Sequence, residues 1–366
     1  MRPLIFDEYP GLEKLPWIEL GEFPTPVHRL ESFGEAKGFP ELYIKRDDRS
    51  SSLYGGNKVR KLEFVLADAK RKGRELLITL GATGSNQVLA TGIFGSREGF
   101  RVMGLMMDQP NADYVRKNLL LDHHFGVDIK FTPSIPIELL AFIYYYAVNY
   151  LAGNKPYYVP GGASSPIGNV GFVNAAFEIQ KQVEEGLLPE PDYIIAAAGS
   201  VGTIAGLELG CRLTGMKTKT IGVGVAMSFY GTPGRFAGMV NSVCNFLRKS
   251  DLSVPEVRCR KEEMIIFNDY LGEEYAAFTE LGVETVRMMK DLEGLQIDPT
   301  YTGKALGGGL DWLANKGLQD KVVLFWNTYN SVDLTHLIKD ADYHDLPRAV
   351  HKYFETPTQE ELLSQP

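Results

Sequence analysis

Short apolar runs alternate along the chain with longer segments whose apolar positions recur every three or four residues. Residues 75–80, 100–107, 127–131 and 157–159 read as buried strands, and residues 85–97, 112–124 and 137–151 as the helices between them. After the Gly161-Gly162 turn a second series begins: helix 168–185, strand 193–198, helix 203–213, strand 220–226, helix 274–292 and strand 322–326. Strands that alternate with helices cannot pair by hairpins, so the sheets they build are parallel and covered on both faces. The pattern predicts an α/β fold of two doubly wound, mainly parallel sheets with a cleft between them. The polar end, residues 355–366, is expected to fray.

Bulk composition narrows the class of partner. A chain of 366 residues exceeds what one small core usually holds, in keeping with two lobes. The formal net charge of −8 argues against a broad nucleic-acid surface, so a small molecule is the expected partner. Cys211, Cys244 and Cys259 are far apart and form no CxxC pair, which points to buried free thiols rather than disulfides or a zinc site. No metal is expected, because His123 and His124 have no carboxylate at ligand spacing. The opening residues carry Asp7 and Glu8 where a signal peptide needs an apolar stretch, and the most apolar segment is interrupted by Pro136, Glu138 and Asn149. A cytoplasmic protein without a membrane span is expected.

Three turns carry candidate chemistry. The first, Gly55-Gly56-Asn57-Lys58, precedes a segment of strong helix character, residues 59–71. Alone it reads as a turn and a surface helix with exposed lysines. Its weight rises because Lys45-Arg46-Asp47-Asp48 comes just before, delivering charge to a glycine turn. A lysine forms a Schiff base only when its amine can shed a proton, which burial and a neighbouring cation such as Lys61 encourage. The second turn, Gly199-Ser200-Val201-Gly202-Thr203, follows an apolar strand and opens a helix, an arrangement that offers backbone N–H groups to a phosphate. Together a Schiff-base lysine and a phosphate cradle are the two anchors of pyridoxal 5'-phosphate. In the third, Gly84-Ser85-Asn86-Gln87, Ser85 is either a helix N-cap or a carboxylate ligand. The spacing of Gly199, Gly202 and Gly206 is not that of a dinucleotide fold, and Gly303-Lys304 lacks the earlier glycine of a P-loop because Asp298 stands there. Tyr275 and Tyr301 on their own read as half-buried core tyrosines.

Taken together, these stretches resemble the pyridoxal-phosphate enzymes of tryptophan-synthase-β fold (fold type II), in particular the D-cysteine desulfhydrase and 1-aminocyclopropane-1-carboxylate deaminase group. The resemblance rests on Leu42-Tyr43-Ile44-Lys45-Arg46-Asp47-Asp48, Gly55 through Lys58 to Leu62-Glu63, Ser85-Asn86, Gly199 through Leu207, and Asp298-Pro299-Thr300-Tyr301-Thr302-Gly303-Lys304-Ala305. It implies that Lys58 holds the cofactor and moves the substrate Cα proton, that Asn86 meets the ring oxygen, and that Lys61 with Gly199, Ser200, Val201, Gly202 and Thr203 holds the phosphate. Ser85 would sit near the substrate carboxylate, Tyr275 and Tyr301 would line the substrate side, and Thr302 and Thr328 would lie near the cofactor. A large domain of residues 1–61 and 173–366, a small one of 62–172, and a homodimer are likewise implied.

Deaminases of this group carry glutamate where this chain has Thr302, which supplies no negative charge to keep the pyridine nitrogen protonated. Opening a cyclopropane needs that strong electron sink more than β-elimination does. The favoured expectation is therefore α,β-elimination, with D-cysteine giving pyruvate, ammonia and sulfide. Cyclopropane deamination, elimination from L-cysteate, β-chloroalanine or D-serine, and a catalytically silent binding protein are the alternatives. The chain departs from the group's pattern at Gln87, at Asn327-Thr328-Tyr329-Asn330 and at Glu274-Tyr275-Ala276-Ala277-Phe278. Substrate identity is more affected by these departures than cofactor binding.

Overall fold

A computed structural model describes residues 2–363 and contains, among them, ten strands. In chain order these are β1 (Val27–Arg29), β2 (Leu42–Lys45), β3 (Leu76–Ala82), β4 (Arg101–Met107), β5 (Val127–Thr132), β6 (Pro156–Val159), β7 (Tyr193–Ala198), β8 (Lys219–Gly224), β9 (Ile265–Phe267) and β10 (Val323–Trp326). The chain forms two compact units, Met1–Phe64 with Ser164–Val332 and Val65–Ala163 with Asp333–Pro366.

The first unit holds a six-stranded sheet in the order β1-β2-β10-β7-β8-β9, in which the β1 pairing is antiparallel and the others parallel. Its central strands are apolar on both faces, as a doubly covered sheet requires: Ile44, Ile195, Val223 and Phe325 line one face and Ile194, Ala196 and Leu324 the other, all fully buried. Helices Pro166–Glu184 and Gly202–Leu213 pack backbone to backbone. A Cβ on Gly206 would lie 2.4 Å from the Phe172 Cβ, and one on Gly210 would lie 2.5 Å from the Ala176 Cβ. Only a side of the helix without side chains permits that approach.

The second unit is built on a four-stranded parallel sheet, β5-β4-β3-β6. Leu76, Ile78, Met103 and Leu105 form one core face, covered by Phe142, Tyr145 and Tyr146 of helix Ile135–Leu151.

The structure departs from the sequence expectation in four places. The helix expected from residue 274 begins at Glu280, where the Thr279 hydroxyl accepts the Gly282 N–H and caps it; residues 274–278 are a loop with Ala276 in the left-handed region at φ 65°. Helices Pro233–Ser250 and Thr302–Ala314 were not anticipated. The second contains Gly307-Gly308-Gly309, poor in helix propensity, and forms because those positions admit Leu281, Tyr270 and Ile195 at close range. Residues 333–363 belong to the second unit instead of the first-unit span 173–366, and the expected frayed end is tied down as far as Leu363. Asn111 donates to the carbonyls of Tyr353 and Thr356, Arg116 donates to both as well, and Thr358 is fully buried. Residues 364–366 of that expected tail lie outside the described residues.

Candidate active site

Strand β2 ends in charge. Lys45, Asp47, Arg60 and Glu178 are all at most 3% exposed, and they satisfy one another. The Arg60 guanidinium donates to both Asp47 oxygens at 2.8 and 2.7 Å and to Glu178 at 2.8 Å; Lys45 donates to Glu178 and, at 2.7 Å, to Gln182. Trp326, at the end of β10, donates its indole N–H to Asp47 at 2.7 Å. Two cations and two anions cancel, which is how such a cluster survives burial. Burial acts against the Glu178 carboxylate, but Arg60 and Lys45 overcome it and bring its pKa down to about 2.

This network anchors the glycine turn. The Asp47 carbonyl accepts the Gly56 N–H at 2.7 Å, and the Asn330 side chain accepts the Gly55 N–H at 2.7 Å. A Cβ on Gly55 would stand 2.0 Å from the Asp48 carbonyl, and Gly56 adopts φ 95°, so both positions require glycine. Helix Lys58–Arg71 starts directly after the turn. The segment Asn327-Thr328-Tyr329-Asn330 therefore lies against the turn that carries Lys58, with the Thr328 carbonyl accepting the Asn57 N–H at 3.4 Å.

Lys58 is half-buried and donates to the Asn57 side chain at 2.8 Å. Burial lowers its pKa to about 8, against the opposing field of Asp298. One helical turn on, Lys61 is 1% exposed and is pushed well below the usual lysine range, first by burial and then by the Lys58 charge. Its ammonium donates to Ser164 Oγ at 2.9 Å, which lies 2.7 Å from Ser200 Oγ. Val201, at φ 56°, turns the backbone into helix Gly202–Leu213 in a strained conformation typical of functional loops. A Cβ on Gly202 would stand 2.1 Å from Ser164 Oγ, 2.5 Å from Asn169 Oδ1 and 2.8 Å from Lys61 Nζ. Asn169 is fully buried, yet neither of its amide atoms has a hydrogen-bond partner among the described residues. A helix N-terminus, a buried ammonium, two hydroxyls and an unpartnered amide thus surround a space that only glycine keeps open. The group that fits it is a small anion such as phosphate.

Asp298 stands at the start of helix Thr302–Ala314. It accepts the N–H of Tyr301 at 2.6 Å, the N–H of Thr302 at 3.2 Å and the Thr302 hydroxyl. Burial raises its pKa against those hydrogen bonds. The hydroxyls of Tyr275 and Tyr301 lie 2.6 Å apart.

Ser85 and Asn86 belong to the second unit. The Ser85 hydroxyl accepts the N–H groups of Gln87 and Val88 at 3.2 and 3.4 Å and caps helix Asn86–Arg97. Asn118 donates to Asn86 Oδ1 at 3.0 Å, which turns the Asn86 NH2 group away from it. Gln87 donates to Thr91 at 2.7 Å.

Of the residues read from the sequence, the first unit brings Lys61, Ser200 and Gly202 to one cradle, with Lys58 a turn away. Asn57, beside Lys58, bonds Thr203 at 3.2 Å, while Gly199 and Val201 shape the cradle's turn. Ser164, Asn169 and the role of Asp298 escaped sequence reading. Ser164 and Asn169 had no local signal, because they become neighbours of Gly202 only through helix packing. Asp298 sat within a quoted motif, but nothing local marked it as the carboxylate that accepts the N–H groups of Tyr301 and Thr302.

Residues 18–328 match the family described as pyridoxal-phosphate dependent enzyme. The chain is 35% identical over 320 residues to a Pyrococcus furiosus protein provisionally named 1-aminocyclopropane-1-carboxylate deaminase, covering 87% of this chain and 92% of that one. It is 32% identical over 328 residues to a D-cysteine desulfhydrase of Klebsiella pneumoniae, covering 87% and 95%. The solved structure of a homologue of 1-aminocyclopropane-1-carboxylate deaminase superimposes with a TM-score of 0.76 at 31% identity, over 97% of this chain and 99% of the other.

Proposed function

The chain belongs to the pyridoxal-phosphate dependent enzyme family, and from that premise we propose that it is a lyase acting by α,β-elimination on a small amino acid, with D-cysteine the first substrate to test. One observation carries the reading: a single helical turn joins Lys58, whose amine burial brings down to a pKa of about 8, to Lys61 in an anion cradle that a methyl group would fill. The cofactor supplies an electron sink for the charge left at Cα when its proton departs.

Lys58 Nζ holds the cofactor and takes that proton. Lys61, Ser164, Asn169, Ser200 and the N–H groups at the start of helix Gly202–Leu213 hold the phosphate, with Gly199, Val201 and Thr203 shaping the turn. The paired hydroxyls of Tyr275 and Tyr301 face the substrate as one proton-sharing unit. Thr328 is assigned to the pyridine nitrogen, and Thr302 acts through the Asp298 carboxylate that its hydroxyl bonds. Ser85 is assigned to the substrate carboxylate and Asn86 to the ring oxygen.

A second reading, opening of the cyclopropane ring of 1-aminocyclopropane-1-carboxylate, draws on one specific observation. Asp298 puts a carboxylate next to Thr302, where residue 302 itself has no charge. The visible spectrum of the purified protein, recorded with D-cysteine and with the cyclopropane amino acid while pyruvate and 2-oxobutyrate are assayed, separates the two. Full turnover in Lys58→Ala would refute both.

We also propose a cytoplasmic homodimer. Three free, buried cysteines fit a reducing compartment, and no helix among the described residues is long and apolar enough to cross a membrane. Helix Ile135–Leu151 exposes Ile137, Leu140, Tyr144, Val148 and Leu151 in one stripe, beside Leu139, Ile143 and Tyr150. Their exposures leave on the order of 900 Å² of uncharged surface, more than monomers usually show and close to the roughly 800 Å² per partner of a stable interface.

A further inference from the structure

Lys304 has no part in the chemistry above and does not belong to a P-loop, yet it is fully buried. It extends from helix Thr302–Ala314 and donates to the carbonyls of Leu271 at 2.6 Å and Ala277 at 2.5 Å. Those two residues bracket the loop that carries Tyr275. The loop turns through the left-handed region at both bends: Gly272 adopts φ 90°, which glycine does freely, and Ala276, fully buried, adopts φ 65°, which strains it. A left-handed alanine persists only where its surroundings fix it; within the loop the Glu274 carbonyl accepts the Ala277 N–H at 3.3 Å, and the Lys304 ammonium grips both ends. Tyr301 lies three residues before Lys304 on the same stretch, and its hydroxyl meets Tyr275 across 2.6 Å.

We propose that Lys304 is a positioning residue that clamps the 272–277 loop and so sets the Tyr275–Tyr301 hydroxyl pair on the substrate side. This rests on the assignment of Tyr275 to substrate. The departure of this loop from the group's pattern at residues 274–278 is then matched by a clamp that uses only backbone carbonyls, which tolerate changes of side chain.

The test is a double-mutant cycle with D-cysteine as probe. Tyr275→Phe is expected to lose about tenfold in kcat/KM, carried mainly by KM, as for one neutral hydrogen bond. Lys304→Met should reproduce that loss and split with an unchanged cofactor spectrum. The double variant should also lose about tenfold rather than a hundredfold, because both changes remove the same contact. In cofactor-free Lys304→Met, backbone amides of residues 272–277 should exchange about tenfold faster, while helices Glu280–Glu293 and Thr302–Ala314 keep their rates. Full additivity, or unchanged exchange, overturns the clamp. An inert Tyr275→Phe beside faster loop exchange in Lys304→Met would instead overturn the assignment of Tyr275. Should Lys304→Met not fold, Gly272→Ala strains the same loop from its exposed end and must show the same non-additive loss; wild-type kinetics there would sink the proposal.

Discussion

Replacing Gly202 by alanine tests the phosphate cradle directly. The added methyl would stand 2.1 Å from Ser164 Oγ, 2.5 Å from Asn169 Oδ1 and 2.8 Å from Lys61 Nζ, inside any van der Waals separation. Ser164 can rotate away, but Asn169 is fully buried on a helix packed against Gly206, so the methyl takes the place of the anion. At least two hydrogen bonds to a charged phosphate are lost, each about 1.5–3 kcal/mol. The expected cost is about 3–6 kcal/mol, a loss of roughly a hundredfold or more in affinity for pyridoxal phosphate. Gly202 opens a helix with negative φ, so its backbone admits alanine, and whatever strain the methyl puts on Asn169 and Lys61 is common to both ligands and is read by the control. Titration of the cofactor-free proteins, followed by the visible band, measures the effect, and unphosphorylated pyridoxal provides the control. Pyridoxal should bind the wild-type and Gly202→Ala proteins within about threefold of each other, since it never enters the cradle. Pyridoxal phosphate binding to Gly202→Ala within about threefold of wild type would refute the reasoning, as would an equal loss for both ligands.

Three further outcomes follow from the geometry. Because burial lowers the Lys58 pKa to about 8, the rate of cofactor attachment should rise with pH and level off near that value; Asp298→Asn removes the field that raises it and should move the profile to lower pH. A rate still climbing toward the ordinary lysine value of about 10.4 would count against this. Asp47→Ala leaves Arg60 and Lys45 sharing Glu178 as their carboxylate partner and should cost about 3–5 kcal/mol in urea unfolding, whereas a loss below about 1 kcal/mol would mean the network is not cooperative. Leu140→Asp with Tyr144→Asp should give a folded monomer in sedimentation, and a wild-type protein that already sediments as a monomer would remove helix Ile135–Leu151 from the dimer.

Much of the architecture was legible in the pattern of residues, because a parallel strand buried on both faces must be apolar throughout. Strands such as β4 and β7 accordingly stand out, at 101–107 and 193–198. The glycine turns before Lys58 and Gly202 were equally visible, since close backbone approach leaves glycine no substitute. The helix at Thr302–Ala314 was hidden by its three glycines, whose low propensity is outweighed by packing that a local reading does not contain. The end of the chain misled for the same reason: its polar composition describes a free tail, but the carbonyls of Tyr353 and Thr356 find Asn111 and Arg116 far away in sequence.

The candidate site divides along the same line. The sequence by itself determined the cofactor class and singled out the lysine and the phosphate turn proposed to hold it, because each is a local device written within a few consecutive residues. Only the tertiary structure decided the groups that complete them: Ser164 and Asn169 beside Gly202, Asp298 beside Thr302, Lys304 across the Tyr275 loop. Burial lowers the amine of Lys58, and hydrogen bonds fix the rest, and both depend on what the folded chain brings to a point from distant positions.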